Sequence, residues 1–420
     1  MTTTASEDRY VSMDAVRGFA VLGILLMNIV GMGLPAFAYI DPTYYGGSEG
    51  ANAWTWAVNF VLVDGKMRGL FTILFGASMV LIADRAGTMG PNRTHYRRMA
   101  WLFVFGMLHA YLLWYGDILV AYAIAGAIAF LFRKLGPRVL IVLGAALLLE
   151  TLFSGMVTHA NLLALREAAT APGASQAAVA AWQEASFLVR PPVEMAQQDL
   201  AGFGGGFMDA LKARAQMAVL LQTMIMFPDG YIEAVAQMLI GMGLFRLGFF
   251  TLRWPTRGYL AVIAAGYLVA APLTAWMAWR AWSSGFDAMV LHEMGVWSIL
   301  PRPFIALAHA GALLLLVRSG ALTWLVDRLA AAGRMALSNY LGTSIVTMLI
   351  FCGFGLGLFG ELQRYQLYFV VLFVWVLILA WSKPWMERFH YGPFEWVWRS
   401  LVQWKRQPFA RAGPKLQAAE

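Results

Sequence analysis

Residues 107–119 read MLHAYLLWYGDIL, and two of them, His109 and Asp117, are of the types that acid–base chemistry uses. A neutral imidazole accepts a proton from a hydroxyl or amine nucleophile. A carboxylate on its other nitrogen holds the tautomer and the ring orientation. Trp114, Tyr115 and Gly116 read as a turn, so His109 hangs near the end of one helix and Asp117 opens the next. At 1.5 Å per residue, His109 lies about 9 Å below that turn. Both residues also have plainer uses. Asp117 can cap a helix N-terminus, and His109 can be satisfied by a carbonyl inside a bundle.

More ionisable residues reach the same level. Asp64, Lys66 and Arg68 open one apolar segment, and Asp229 and Glu233 open another. With Glu150 and His159 nearby, they suggest a polar, outward-facing pocket. Asp64, Lys66, Arg68, Asp229 and Glu233 are its candidate substrate contacts. Lys66 or Arg68 would sit on an oxyanion, although both could equally snorkel. Asn28, deep in the first apolar segment, needs a polar partner in lipid and joins that substrate-binding set. His309, in ALAHAGALLLL, has small neighbours and reads as a packing residue.

A second group belongs to the other end. Asp14 and Arg17 are three apart, share a helix face and can pair. GRMALSNYL (333–341) carries Arg334, Ser338 and Asn339. Arg17, Arg334 and Asn339 are candidates for holding the phosphates of a cytosolic acyl-CoA, used as co-substrate rather than as a tightly bound cofactor. Membrane topology alone also explains arginines there. No histidine pair has metalloprotease spacing, and there is no G-x-S-x-G elbow, P-loop or dinucleotide fingerprint. Cys352, the single cysteine, excludes an intrachain disulfide and a cysteine metal site.

The elements that must position these groups follow from composition. Of 420 residues, 60% are hydrophobic and 13% charged, against about 25% charged in soluble domains. Apolar stretches recur along the whole chain. The expected class is an all-α polytopic membrane protein with about ten transmembrane helices. They centre on 11–34, 66–83, 99–115, 117–132, 138–158, 231–249, 258–279, 300–318, 336–358 and 365–383. Arginine and lysine cluster in alternate loops, including Arg85, Arg97, Arg98, Arg133, Arg246, Arg318 and Arg328. That pattern puts both termini in the cytoplasm and accounts for the net charge of +8 without nucleic acid. Residues 1–400 form one transmembrane domain with an extracytoplasmic helical insertion at about 159–210, hinged at GFGGG (202–206). MAVLLQTMIMF (217–227) is too short to cross and reads as re-entrant or interfacial. Residues 401–420 form a basic cytoplasmic tail. FVLVDGKMRGLFTILFG (60–76) and IMFPDGYIEAVAQMLIG (225–241) share Asp-Gly and a glycine twelve residues after the Asp. This weak repeat suggests two related halves of five spans, with chance similarity as the alternative.

Five stretches in order, RYVSMDAVRGFAVLGILLMNIVGMGLP, DGKMRGLFTILFG, LHAYLLWYGDILVAYA, GRMALSNYL and YGPFEWVWR, resemble the YeiB-like family of bacterial inner-membrane proteins. The likeness spans about residues 9–400. That family in turn resembles a wider transmembrane acyltransferase superfamily through the first-helix pattern of Asp14, Arg17-Gly18 and Asn28. The resemblance implies an acyl group taken from cytosolic acyl-CoA and passed to a sugar or lipid acceptor at the outer face. It departs at one point: the relatives' working histidine lies at the end of the first span or in the loop after it, and this chain has none before His95. His109 is the natural substitute, with Asp117 as its orienter. Two other readings stand beside this one: a transporter or flippase of a small or lipidic molecule, and a non-catalytic lipid- or partner-binding protein. Membrane lipid is a partner in each, and a homodimer is left open.

Overall fold

A computed structural model describes residues 10–84 and 89–411. The first nine residues, Arg85 and the tail beyond 411 lie outside the described residues. Apart from one β-bridge between Phe389 and Ala410, the described residues form helices and turns. In chain order these are α1 (Val11–Gly33), α2 (Gly50–Leu62), α3 (Lys66–Asp84), α4 (Pro91–Leu112), α5 (Leu119–Ala129) and α6 (Pro137–Thr170). Then come α7 (Gln176–Ala185), α8 (Val193–Gly204), α9 (Phe207–Leu220), α10 (Asp229–Arg246), α11 (Thr256–Ala264) and α12 (Ala271–Ser283). The last are α13 (Ala288–Trp297), α14 (Pro301–Ser319), α15 (Thr323–Arg334), α16 (Ala336–Phe351), α17 (Leu367–Arg388) and α18 (Pro393–Gln403).

Local signals explain many of the boundaries. Gly-Pro opens α4, α6 and α18, where proline at the first helical position loses no internal hydrogen bond. The Asp287 carboxylate accepts from the N–H groups of Met289 and Val290 and caps α13. Gly320, at φ +69°, ends α14 in the left-handed region.

Each of the ten expected crossings overlaps a helix, although the ninth, 336–358, overruns α16, which ends at Phe351. Among the described residues, six helical stretches are long and apolar enough to cross a membrane: Val11–Gly33, Gly50–Asp84, Pro137–Thr170, Thr256–Ser283, Pro301–Ser319 and Leu367–Arg388. Leu119–Phe132 and Ala336–Phe351 are apolar but shorter. On α6 and α17 the outward side chains, such as Val142, Phe153, Phe369 and Val376, are large, apolar and exposed. A face of that kind is stable only against hydrocarbon. The chain is a polytopic helical membrane protein.

Two expectations need adjustment. The fifth segment was expected to stop near 158, yet α6 runs unbroken to Thr170. Its 34 residues span about 51 Å, well beyond a hydrocarbon core of about 30 Å. The insertion is therefore built on a helix that outruns the bundle, with α7 and α8 after it. Basic residues 405–411 do not trail away either: Phe409 packs on Trp385 and Phe389, and the Trp396 indole donates to the Gln407 carbonyl.

The N-terminus of α1, the C-termini of α10, α14 and α15, and helix α18 meet at one end, called here the basic end. Its arginines bind backbone carbonyls. Arg246 donates to the carbonyls of Arg133 and Leu135 and Arg318 to those of Leu252 and Trp254, all in turns, while Arg328 donates to that of Leu379 within α17. Carbonyls at helix C-termini have no intrahelical donor, and a cation there also meets the negative end of the dipole.

Close helix contacts use glycine. A Cβ on Gly18 would lie 1.9 Å from the Leu329 carbonyl oxygen, and one on Gly333 1.9 Å from that of Asp14. So α1 and α15 touch backbone to backbone. The repeat motif makes a matching contact in the core. A Cβ on Gly76 would meet the Met238 carbonyl oxygen at 2.1 Å, and one on Gly241 would meet that of Ile73 at 1.9 Å. Ile73 and Met238 each lie three residues before their glycine, so α3 and α10 pack as a parallel pair with pseudo-twofold symmetry. The symmetry observed is between these two helices.

Candidate functional site

The α4–α5 turn is tied to the end of α1. The Tyr115 hydroxyl donates to the Gly31 carbonyl at 2.7 Å, and the Trp114 indole donates to the same oxygen at 3.4 Å. This turn brings His109 and Asp117 together: His109 Nδ1 lies 2.8 Å from Asp117 Oδ1, and both side chains are 0% exposed. Asp117 Oδ2 accepts from the Val120 N–H at 2.7 Å. The capping role and the orienting role are therefore held at once, one by each oxygen.

The other ring nitrogen has a partner that sequence reasoning missed. His109 Nε2 lies 2.8 Å from the Ser344 hydroxyl on α16. A carboxylate can only accept, so Nδ1 carries the proton and Nε2 of the neutral ring accepts from Ser344. The Tyr340 ring lies 4.8 Å from the imidazole, and its hydroxyl accepts from the Ile118 N–H at 3.3 Å. Ser344 stands in no recognisable motif. Its position on α16, six residues after the quoted Ser338, carries no signal linking it to α4.

Two hollows flank this group. A cavity of about 580 Å³ lies at the basic end. Its deep wall is apolar, with Ile24, Phe71, Leu102 and Leu119, and its rim carries Arg17, Arg98, Arg334 and Arg399. A small pocket of about 20 Å³ lies toward the opposite end, lined by Gly31, Trp114, Arg214, Ser344 and Cys352 among others. Along α1, cavity residues end at Ile24 and pocket residues begin at Gly31. Along α4 they end at Leu102 and begin at Leu113, and along α16 they end at Tyr340 and begin at Ser344. His109 occupies the α4 gap, so the Asp117–His109–Ser344 group forms the partition between the two hollows. Half-buried Asn28 occupies the same gap on α1.

The remaining candidates divide. Arg17 lines the cavity, pairs with Asp14 at 2.8 Å and donates to Ser78 at 2.9 Å; Arg334 lines it too. Asn339 does not line it: its amide donates to the Ala332 carbonyl and Ser382 and accepts from the Trp381 indole, bracing α16 on α15 and α17. The charged residues expected around an outward pocket make a cluster of contacts. Glu233 lies 4.0 Å from Arg68 and 3.9 Å from Arg302, a residue not singled out from sequence. Asp64 accepts from the Tyr39 hydroxyl at 3.2 Å. Lys66 is buried, donates to the Phe60 carbonyl and lies over the Phe60 ring, away from His109. Asp229 stands apart, accepting from Ser154 at 3.3 Å. His309 is the packing residue expected, between the Tyr267 hydroxyl and the Leu62 carbonyl.

All five quoted stretches reach the cavity. They contribute Asp14 and Arg17, Phe71 and Phe75, Leu119 and Tyr122, Arg334 and Tyr340, and Glu395 and Arg399. Glu395 on α18 also accepts from the Leu337 and Ser338 N–H groups at 2.7 and 3.1 Å, capping α16 from another helix. His95 stands in the cavity wall, stacked on Phe130 at 3.8 Å, with Nε2 3.0 Å from the Gly126 carbonyl.

Fold and site together define a polytopic helical membrane protein with an arginine-rimmed cavity at one end and a buried carboxylate–imidazole–hydroxyl group behind it. The family described as "Protein of unknown function (DUF418)" matches residues 244–405. Uncharacterized protein YeiB of Escherichia coli (strain K12) is 31% identical over 404 residues, covering 94% of this chain and 96% of the relative. Uncharacterized protein YxaH of Bacillus subtilis (strain 168) is 27% identical over 429 residues, covering 97% and 98%. The chain belongs to the YeiB-like family. No solved structure matches it.

Proposed function

We propose that the protein is an inner-membrane acyltransferase that takes an acyl group from a cytosolic acyl-CoA and passes it to a sugar or lipid acceptor at the outer face. One observation carries the reading: the cavity of about 580 Å³ to which all five motifs contribute has an apolar depth and a rim of Arg17, Arg98, Arg334 and Arg399. An amphiphile with an apolar acyl end and an anionic phosphate end has the complementary polarity. In this reading the basic end faces the cytoplasm, as the clustering of arginine favours, and the chain crosses the membrane ten times. His109 is the general base and Asp117 its orienter. The acceptor arrives from the opposite end.

A transporter reading has one observation behind it, the two hollows on either side of a partition, which alternating access would open in turn.

The test is thermal unfolding of the purified protein with acyl-CoA, free CoA and an unrelated nucleotide. A ligand bound only to the native state adds about 2.7 kcal/mol of stability at a hundred times its dissociation constant. Acyl-CoA is expected to raise the midpoint saturably and more than the nucleotide does, with the shift weakened in Arg399→Gln. His109→Ala keeps the shift and loses acyl transfer. No shift at millimolar acyl-CoA sinks the donor site. Transfer retained by His109→Ala sinks the assignment of the base.

A further inference from the structure

The buried group offers more than a base. We infer that Ser344 is a nucleophile that carries the acyl group covalently between donor and acceptor, and that Arg214 receives the negative charge on the carbonyl oxygen. The inference rests on the acyl-transfer reading above and deepens it.

Three observations lead to it. First, both ring nitrogens of His109 are engaged, at 2.8 Å each, with a carboxylate on one side and a hydroxyl on the other. A general base that deprotonates an outside acceptor directly would need Nε2 free, whereas here the proton within its reach is that of Ser344. The order carboxylate, imidazole, hydroxyl is the arrangement that activates serine, and it is recognised by geometry rather than by motif. Second, Ser344 lines the small pocket together with Arg214. Arg214 is 1% exposed, donates to the Leu112 carbonyl at 3.0 Å, and lies 3.9 Å from Cys352 Sγ. Its Nε has no hydrogen-bond partner, and no carboxylate pairs with it among the described residues. A buried guanidinium without a counter-anion is costly, and the cost is relieved when negative charge develops beside it. Third, Ser344 lines the small pocket, and Tyr340, one helical turn before it on α16, lines the large cavity, so the hydroxyl stands one turn from the space assigned to the donor.

The steps balance. The Ser344 hydroxyl oxygen attacks the thioester carbonyl carbon while its proton passes to His109 Nε2. The carbon–oxygen bond forms, the carbonyl π electrons move onto oxygen beside Arg214, and the imidazolium is held by Asp117. The tetrahedral centre collapses, the carbon–sulfur bond breaks, and the departing thiolate takes the proton from Nε2. The acceptor hydroxyl or amine then attacks the Ser344 ester, passes its proton to Nε2, and the serine oxygen leaves with that proton.

The test uses the full-length protein in detergent and reads covalent modification directly. The protein is incubated with labelled acyl-CoA, quenched in acid and mapped by peptide mass spectrometry. A parallel sample receives a fluorophosphonate, which phosphonylates activated serines with loss of fluoride and needs no donor site. Expected are acylation and phosphonylation at Ser344, both slowed at least tenfold in His109→Gln. In Ser344→Ala both are absent, while the acyl-CoA-dependent shift in unfolding midpoint remains. A donor-dependent shift with neither modification at Ser344 overturns this inference and leaves the donor site standing. An acyl group found on Cys352 overturns it as well. Phosphonylation of Ser344 without any acyl-CoA shift keeps the nucleophile and overturns the donor assignment.

Discussion

Asp117 divides its two oxygens between a helix N-terminus and an imidazole, and neither task weakens the other. Such a buried carboxylate is stable only because every acceptor is used. Asp199 on α8 is a simpler case, outside the spans. It accepts from the Ala36 N–H at 2.9 Å, fastening the insertion to the end of α1. Burial pushes its carboxyl up to about 6 from 3.8, against the opposing effect of that hydrogen bond. Between those values the folded chain holds a proton that the unfolded chain has released. Stability from this group is therefore fully present below the lower value and falls as pH rises toward the upper one. The expected loss is up to about 3 kcal/mol. Midpoints of thermal unfolding measured from pH 4 to 7 should fall more in the wild type than in Asp199→Asn; equal slopes would refute the assignment. At this scale the sequence showed a good deal. His109 and Asp117 are eight residues apart across a readable turn, and their juxtaposition could be anticipated. Ser344 is 235 residues from His109, and no local periodicity reports so distant a partner.

At the scale of elements, the α3–α10 contact is tightly constrained. Each helix presents its glycine to a backbone carbonyl of the other, and a carbonyl cannot rotate aside as a side chain can. Gly76→Val or Gly241→Val is expected to separate the helices and cost about 1–3 kcal/mol or more. Gly295→Ala on α13 meets nothing within 4 Å, and should be neutral or slightly stabilising through helix propensity. Unfolding midpoints of the three variants, compared side by side, check this; a tolerated valine at either core glycine would show that the backbones are not in contact. The Asp-Gly repeat signalled that α3 and α10 are alike. It could not signal that they touch, because likeness is local and contact is set by how the intervening helices fold. The overlong α6 was missed for a related reason: its polar later turns resemble a loop in composition, while their helix propensity is high.

For the whole molecule, orientation across the membrane can be measured against the chain's own background. Its single cysteine, Cys352, is buried. A cysteine placed at exposed Ser175, before α7, is expected to react with an impermeant maleimide in intact cells. One placed at exposed Ser319, at the basic end of α14, should react only after the membrane is opened. The reverse pattern would invert the topology and place the arginine-rimmed cavity outside. This expectation rests on the asymmetry of arginine and lysine between loops, a property of composition that needs no coordinates.

What the sequence by itself determined is what depends on local chemistry. Apolar runs of spanning length require helices, because hydrocarbon offers backbone groups no partner. Gly-Pro pairs mark where several of them start, and the turn at 114–116 brings His109 to Asp117. The tertiary structure decided what depends on which helices become neighbours. It gathered five separate motifs around one cavity at the basic end, set Ser344 against His109 and placed Arg214 in the small pocket that Ser344 lines, and turned Asn339, Lys66 and Asp229 away from that group. Helix packing within a membrane is chosen by close fit of small residues and by satisfaction of buried polar groups. Both are relations between distant segments, and a linear pattern carries no record of them.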